Sequence, residues 1–132
     1  MSAGPVLRIA AAIILDEDGR MLLVRKRGTQ VFMQPGGKLE PGESAAECLV
    51  RELAEELGLA VDAASLGWAG RLDAPAANEP GHRVDCDVFR VGGISTVSAA
   101  AEIEEALWFS RESLATVPLA PLTAMNLDVF FS

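Results

Sequence analysis

Apolar residues recur with a helical period in the middle of the chain, between Ser44 and Gly58. The spacing i, i+3, i+4, i+7, i+11 places five side chains on one stripe that is predicted to face a core: Ala46, Leu49, Val50, Leu53 and Leu57. Ser44 and Glu47 have the spacing of a capping box, and Gly58 stands where helices commonly end. The pattern therefore predicts one amphipathic helix between Ser44 and Gly58.

Apolar segments rich in β-branched residues lie on both sides of this helix and predict strands. They cover residues 6–15, 21–27, 31–34, 66–72 and 83–91. The sequence at 16–19, Asp-Glu-Asp-Gly, predicts a hairpin turn that pairs the second strand with the first. A closing helix is predicted over 119–131, with inward-facing Leu122, Met125, Val129 and Phe130. Elements in this order favour an α/β or α+β fold with a mixed sheet.

Composition and charge narrow the classes of function. The 132 residues, half of them hydrophobic, predict one domain over 1–132. A net charge of −8 argues against a nucleic acid polymer as partner, because such a partner requires a basic face. The apolar runs are shorter than the roughly 18 residues of a membrane span, so no membrane partner is expected. Cys48 and Cys86 lack metal-type spacing, and a reduced, cytoplasmic setting is the simplest interpretation.

Three carboxylates share another face of the central helix. Glu52, Glu55 and Glu56 fall at i, i+3, i+4, and only Arg51 is near enough to offset their repulsion. Acidic helix faces are most often solvated surface, which is the alternative explanation. A divalent cation would also compensate, and oxygen ligands suit magnesium. The preceding glycine-rich loop, 36–42, would let backbone groups approach an ion or a phosphate closely.

The spacing across this loop and helix resembles the Nudix box. Gly37, Glu43 and the run Arg51-Glu52-Leu53-Ala54-Glu55-Glu56-Leu57-Gly58-Leu59 match its fixed positions, so the box covers 37–59. The resemblance implies a Nudix-type α/β/α sandwich with a mixed sheet and a loop-helix-loop catalytic motif. It also implies a hydrolase that cleaves a nucleoside diphosphate linked to another moiety, hence a small-molecule nucleotide substrate. Homodimers are common in that family.

The resemblance also implies roles for individual residues. Mg²⁺, for which Mn²⁺ can substitute, would be held by Glu52, Glu55, Glu56 and the Gly37 carbonyl. Arg51 would orient the glutamates, and Glu43 would pair with Arg51 or assist through water. The base is left open between a box glutamate, foremost Glu52, and a glutamate of the acidic segment, Glu102, Glu104 or Glu105, which could also supply a further metal ligand.

Substrate contacts are expected outside the box. Arg25 and Arg27 belong to a basic cluster, 25–27, that could contact a phosphate or base, although a charged strand end explains it equally well. Phe32 could stack on a base or belong to the core, and Gln34 lies just before the glycine loop. Asn126 offers both a donor and an acceptor to a base edge, although an asparagine on a helix surface is more common.

A (deoxy)nucleoside triphosphate pyrophosphohydrolase is the favoured function, because small size and a closing helix resemble MutT-like members. An ADP-ribose or other nucleotide-sugar pyrophosphatase is the alternative, since such members often carry a proline about 15 residues after the box, and Pro75 is an ambiguous match. A non-catalytic nucleotide sensor is a rival from another class, but the intact set of box glutamates favours an enzyme. A purely structural acidic domain is the third option, and it predicts no magnesium-dependent nucleotide binding.

Overall fold

The computed structural model describes residues 4–94 and 96–132. The strands are β1 Val6–Ile13, β2 Met21–Lys26, β3 Phe32–Met33, β4 Gly36–Lys38, β5 Gly67–Pro75, β6 Arg83–Arg90 and β7 Ile103–Phe109. The helices are α1 Ala45–Leu57, α2 Pro121–Met125 and α3 Leu127–Phe130, with 3₁₀ turns at Ala63–Ser65 and Ser113–Thr116. The longest helix, α1, has 13 residues, and none of the helices in the described part of the chain could span a membrane.

Two sheets form the centre of the molecule. The larger has the order β4-β1-β6-β5, in which β1 runs parallel to β6 and the other neighbours are antiparallel. The smaller is antiparallel, with the order β3-β2-β7. The predicted mixed sheet is therefore confirmed.

Side chains at the end of β1 and at Ile14, directly after it, alternate between two hydrophobic cores. Ala11 and Ile13 pack on the side of α2 and α3, with Leu122 and Phe130. Ala10, Ala12 and Ile14 pack on the side of α1, with Leu49, Leu53 and Leu57. Because both faces are covered at residues 10–14 and 21–24, these segments are continuously apolar, whereas β6 alternates apolar and charged residues. The result is the expected sandwich of helices around strands.

The first turn joins the two sheets instead of closing a hairpin within one. Gly19 adopts a left-handed φ of 78°, and the Asp16 amide donates to the Arg20 carbonyl at 2.9 Å. The turn prediction holds, but pairing stops at the bridge between Leu15 and Met21. The expectation that the second strand pairs along the first was wrong, since β1 finds its partners in β4 and β6.

Helix α1 begins and ends as its sequence predicts. The Ser44 hydroxyl accepts the Glu47 amide at 3.1 Å, and the Ser44 amide donates to the Glu47 carboxylate at 2.8 Å. Gly58 closes the helix with a φ of 66°. Leu49, Leu53 and Leu57 are buried, which confirms the centre of the predicted apolar stripe.

The closing helix is broken into two short pieces. Asn126, with φ −128° and ψ 24°, separates α2 from α3, and its side-chain amide donates to the Leu122 carbonyl at 2.8 Å. Leu122 and Phe130 are buried as predicted, whereas Met125 and Val129 are exposed. The expectation of one helix over 119–131 was wrong, because the turn at Asn126 shifts the inward face.

Candidate active site

The glycine-rich segment is partly a strand, β4, which presses against β1 on one side and α1 on the other. Gly36 has a φ of 147°, and a Cβ there would lie 2.0 Å from the Ala10 carbonyl oxygen. A Cβ at Gly37 would lie 2.5 Å from the Glu52 carboxyl carbon. Gly36 therefore admits only glycine, and at Gly37 a side chain would have to displace the Glu52 carboxylate, which lies directly against the backbone of β4.

Arg51 ties the loop to the helix. Its Nε and Nη2 donate to the two carboxylate oxygens of Glu43 at 2.7 and 2.8 Å, a bidentate pair. Its Nη1 donates to Glu52 at 2.6 Å, and Nη2 also donates to the Lys38 carbonyl at 3.1 Å. The hydrogen bonds from Arg51 lower the pKa of Glu43 to about 2, so this carboxylate stays ionised. The pKa of Arg51 is raised by the same bonds.

The three helix carboxylates occupy three different environments. The Glu52 side chain is 13% exposed and that of Glu55 is 55% exposed, whereas Glu56 is almost fully buried at 2%. Glu56 accepts the Gly36 amide at 3.2 Å. Burial, and next the charge of Glu52, raise the pKa of Glu56 to about 8. The sequence placed the three on one face, but Glu56 points inward beneath β4.

These carboxylates do not form a complete metal cage by themselves. Among residues 4–94 and 96–132, no three acidic, thiol or imidazole side chains converge as a metal site. Magnesium, however, is commonly bound by one or two protein carboxylates together with water and substrate phosphate oxygens. Glu52 and Glu56 beside the Gly36–Gly37 backbone supply such a hard, anionic oxygen set. The residues therefore fit a divalent cation that substrate phosphates help to hold.

A cavity of about 480 Å³ opens beside Glu52. Its polar side is formed by Arg51, Glu52 and the strand Gly36–Lys38. Its other walls come from β1, the 75–79 segment and the start of α2: Leu7, Ile9, Ala10, Ala11, Pro75, Ala77, Asn78, Glu79, Ala120, Leu122 and Thr123. The volume lies within the range of ligand-binding pockets. The cavity has an anionic end at Glu52 and an apolar end.

The basic cluster divides between two faces of β2. Arg25 donates to Glu105 at 3.2 Å and to the Thr29 carbonyl at 2.8 Å, and Arg27 donates to Glu104 at 3.3 Å. Neither arginine lines the cavity, so the structure does not bring the expected Arg25 and Arg27 contacts together with Glu52. Lys26, between the two arginines, lines the cavity instead, and the pairing of β2 with β7 is irregular between Arg25 and Lys26.

The acidic segment divides in the same way. Glu102 lines the cavity, with its carboxylate 3.7 Å from Lys26 Nζ. Glu105 pairs with Arg25 and Glu104 with Arg27, and neither glutamate lines the cavity. Of the late glutamates, the structure therefore places Glu102 at the cavity and not Glu105.

Of the three other residues predicted to contact the substrate, one lines the cavity and two do not. Gln34 is buried and lines the cavity. Phe32 is 5% exposed and packs edge-on to Phe109 at 5.1 Å between ring centroids, which is the core position that was one of its two expected roles. Asn126 does not line the cavity, because its amide is used to end α2.

Sequence reasoning missed several cavity residues, among them three in α2 and the loop after β5. Leu122 and Thr123 line the cavity from α2, and Asn78 lines it from the loop after β5. The segment 74–82 between two predicted strands contains prolines and polar residues, which are typical of a surface loop, and such loops often carry binding residues. No sequence signal pointed to Thr123, because a single threonine in a short helix forms no motif and no periodic pattern.

The fold and this geometry define a class of α/β/α proteins with an acidic site beside a glycine-rich strand, and comparison with known proteins identifies the family. The model of the NUDIX domain matches residues 5–128. A CTP pyrophosphohydrolase of Escherichia coli is 30% identical over 132 residues, which cover 96% of this chain and 93% of that protein. An 8-oxo-dGTP diphosphatase of Haemophilus influenzae is 40% identical over 58 residues, 41% of this chain and 43% of that protein.

Solved structures give the same result. The crystal structure of a MutT protein from Methanosarcina mazei Go1 superposes with a TM-score of 0.75 at 26% identity, covering 98% of this chain and 94% of that one. The match covers 33% of the length of a Bacillus subtilis relative, which is 45% identical over 49 residues, and 93% of the length of the E. coli protein. The chain belongs to the Nudix family of hydrolases, which act on phosphate anhydrides.

Proposed function

We propose that the protein is a Mg²⁺-dependent nucleoside triphosphate pyrophosphohydrolase, with Mn²⁺ able to substitute. Water would add to one phosphorus of the triphosphate, and the anhydride bond to the neighbouring phosphate would break to give a nucleoside monophosphate and pyrophosphate. The observation that carries this proposal is the position of Glu52. Its carboxylate lies against the Gly37 backbone at the anionic end of a cavity large enough for a nucleotide.

Arg51 and Glu43 would act as a fixed frame for Glu52. The bidentate pair with Glu43 holds the guanidinium in one orientation, and its remaining Nη1 holds Glu52 at 2.6 Å. A carboxylate held this way loses little conformational freedom when it engages a ligand, which is the advantage of a preorganised site. Arg51 is thus a positioning residue in this proposal.

Glu52, Glu56 and the Gly37 carbonyl would hold the cation. When bound, the cation neutralises phosphate charge and lowers the pKa of a coordinated water. Glu56 would release its proton on binding, since its raised pKa reflects burial and the neighbouring Glu52 charge. Glu55, which is exposed and does not line the cavity, would contribute at its rim through Arg51, 3.6 Å away.

Two residues are candidates for the base. Glu52 lies nearest the proposed phosphate end, and Glu102 lines the same cavity opposite β4. Glu102 is close to Lys26, whose ammonium group could itself contact a phosphate. Either glutamate would take a proton from the attacking water.

The relatives support a triphosphate substrate. The E. coli protein that this chain matches over nearly its whole length is named for CTP, and the H. influenzae protein for 8-oxo-dGTP. A nucleotide-sugar pyrophosphatase is the second candidate, because Pro75, the residue that suggested it, lines the cavity. The two free thiols, Cys48 and Cys86, are both buried, consistent with the proposed cytoplasmic setting.

A substrate panel with product analysis tests this proposal. Nucleoside triphosphates, ADP-ribose and nucleotide sugars would be incubated with Mg²⁺, and phosphate, pyrophosphate and monophosphate products would be separated. We expect pyrophosphate release from triphosphates, and its loss in excess EDTA. Faster cleavage of ADP-ribose would favour the second candidate. Undiminished turnover in EDTA, or no turnover of any compound with either Mg²⁺ or Mn²⁺, would refute metal-dependent hydrolysis.

A further inference from the structure

Two buried polar side chains lie together on the otherwise apolar wall of the cavity. Gln34 and Thr123 expose 6% and 0% of their surfaces, and both belong to the lining that includes Glu52. Thr123 Oγ1 lies 2.8 Å from Gln34 Oε1. The surrounding wall is aliphatic: Leu7, Ile9, Met33, Val84 and Leu122. A few placed polar groups in an apolar wall are what fix the orientation of a bound ligand.

The orientation of the Gln34 carboxamide is determined by its surroundings. Nε2 lies 3.1 Å from the carbonyl oxygen of Ala12, which can only accept, so the nitrogen and not the oxygen must face it. The same nitrogen lies 3.7 Å from the sulfur of Met21, a weak acceptor. Both amide hydrogens are therefore directed to the core, and Oε1 is the group left for Thr123.

This orientation also determines the role of the Thr123 hydroxyl. Oε1 of Gln34 has no hydrogen, so the 2.8 Å contact requires Thr123 to donate its proton. Thr123 then has only lone pairs left, and Gln34 Oε1 has one lone pair left. The hydrogen-bonding capacity that these two side chains retain is acceptor capacity, and any ligand group that bonds to them must be a donor.

We propose that Gln34 Oε1 accepts a hydrogen bond from the exocyclic amino group of the nucleotide base, and that Thr123 is the positioning residue that holds this oxygen in place. The proposal rests on the proposed function, in which the phosphates lie at Glu52 and the base extends into the aliphatic part of the cavity. Cytosine and adenine carry such an amino group. Uracil and hypoxanthine carry a carbonyl oxygen at the same position, which would face an acceptor and leave both oxygens unpaired.

Pairs of nucleotides that differ in this one group of the base test the selectivity. CTP and UTP differ at this position by amino against carbonyl, and so do ATP and ITP. In the wild-type protein, we expect kcat/KM for the amino member of each pair to exceed that of the carbonyl member by at least about tenfold, as for a site built around one hydrogen bond. Equal rates within both pairs, or preference for the carbonyl members, would overturn the proposal.

Thr123 variants test the positioning role. Thr123→Val keeps the shape and removes the donor, so we expect the ratio within each pair to fall towards one, with a higher KM for the amino member and little change in kcat. Thr123→Ser keeps the hydroxyl and should restore the ratio. A Thr123→Val protein that folds, by urea unfolding, and keeps the wild-type ratio would contradict the role of Thr123.

Equilibrium binding separates this inference from the proposed function. The α,β-methylene analogues of CTP and UTP resist cleavage at that bond, and calorimetric titration of the wild-type protein with Mg²⁺ would give their affinities. Tighter binding of the CTP analogue is expected whether or not the protein turns over triphosphates. Equal affinities, or no binding of either analogue, would overturn the amino-group proposal. Absence of turnover would count against hydrolysis alone.

Discussion

Replacing Glu56 by glutamine removes a carboxyl that is 2% exposed and whose pKa is raised to about 8 by burial and by the charge of Glu52. In the unfolded chain this group loses its proton near 4.5, whereas the folded protein keeps it until about pH 8. Between these values the folded state binds more protons, so the free energy of unfolding falls as the pH rises. The fall amounts to about 3–5 kcal/mol over that window in the metal-free protein.

Glutamine imitates the protonated carboxyl at every pH. Its oxygen can still accept the Gly36 amide, now 3.2 Å from Glu56 Oε1, and its amide can donate to Glu52. The Glu56→Gln protein should therefore match the wild type within about 1 kcal/mol at pH 5 and exceed it by a few kcal/mol at pH 9.

Urea unfolding in EDTA at pH 5, 7 and 9 measures this difference. Glu55→Gln is the matched control, because it makes the same chemical change one residue away on the exposed side of α1. The ion pair of Glu43 and Arg51 does not change the unfolding free energy between pH 5 and 9, because both groups stay ionised there. The pKa of Glu43 is lowered to about 2, so its contribution is present above about pH 4.5 and is lost only as the pH falls below that value.

Two results would refute this reasoning. A wild-type unfolding free energy that stays constant or rises between pH 5 and 9 would show that Glu56 is not held protonated. A Glu56→Gln protein no more stable at pH 9 than Glu55→Gln would show that burial of the carboxyl has no energetic consequence. Added Mg²⁺ should raise the melting temperature of the wild type at pH 8 and raise it less in Glu56→Gln, since ligand binding to the folded state stabilises it.

Further predictions concern catalysis and the core. Glu52→Gln should lower kcat by at least about 10²-fold, the scale of losing a positioned catalytic group, whereas Glu17→Gln in the exposed first turn should leave steady-state rates unchanged; near-wild-type rates for Glu52→Gln would refute its assignment. Leu53→Ala should lower the unfolding free energy by about 2–5 kcal/mol in urea titrations, because Leu53 is fully buried, and a wild-type stability would contradict the packing of α1. Phe32→Ala should cost about 3–5 kcal/mol while the folded fraction keeps the wild-type KM; a raised KM with unchanged stability would return Phe32 to the substrate site.

The sequence by itself determined the local structure around α1. The capping box of Ser44 and Glu47, the terminal Gly58 and the leucine stripe each act within a few residues, so their geometry follows from spacing alone. The strands were predictable for the same reason. The family could be predicted because all positions of the Nudix box lie in one continuous segment.

Tertiary structure decided which side chains reach the cavity. Phe32 and Gln34 are two residues apart, yet Phe32 packs on Phe109 while Gln34 lines the cavity with Thr123, 89 residues away in sequence. Arg25 donates to Glu105 and does not line the cavity, and these two residues are neighbours only because β2 pairs with β7. No local pattern contains such information, because it depends on which strands become neighbours.

The environment of Glu56 was likewise decided by the tertiary structure. Its spacing from Glu52 and Glu55 correctly placed three carboxylates near one another, but not the depth of each. The close approach of Gly36 to Ala10 brings β4 over α1 and covers Glu56, while Glu55 stays in solvent. Helical periodicity fixes the direction in which a side chain points, whereas the strand that covers it fixes its solvation, and therefore its pKa.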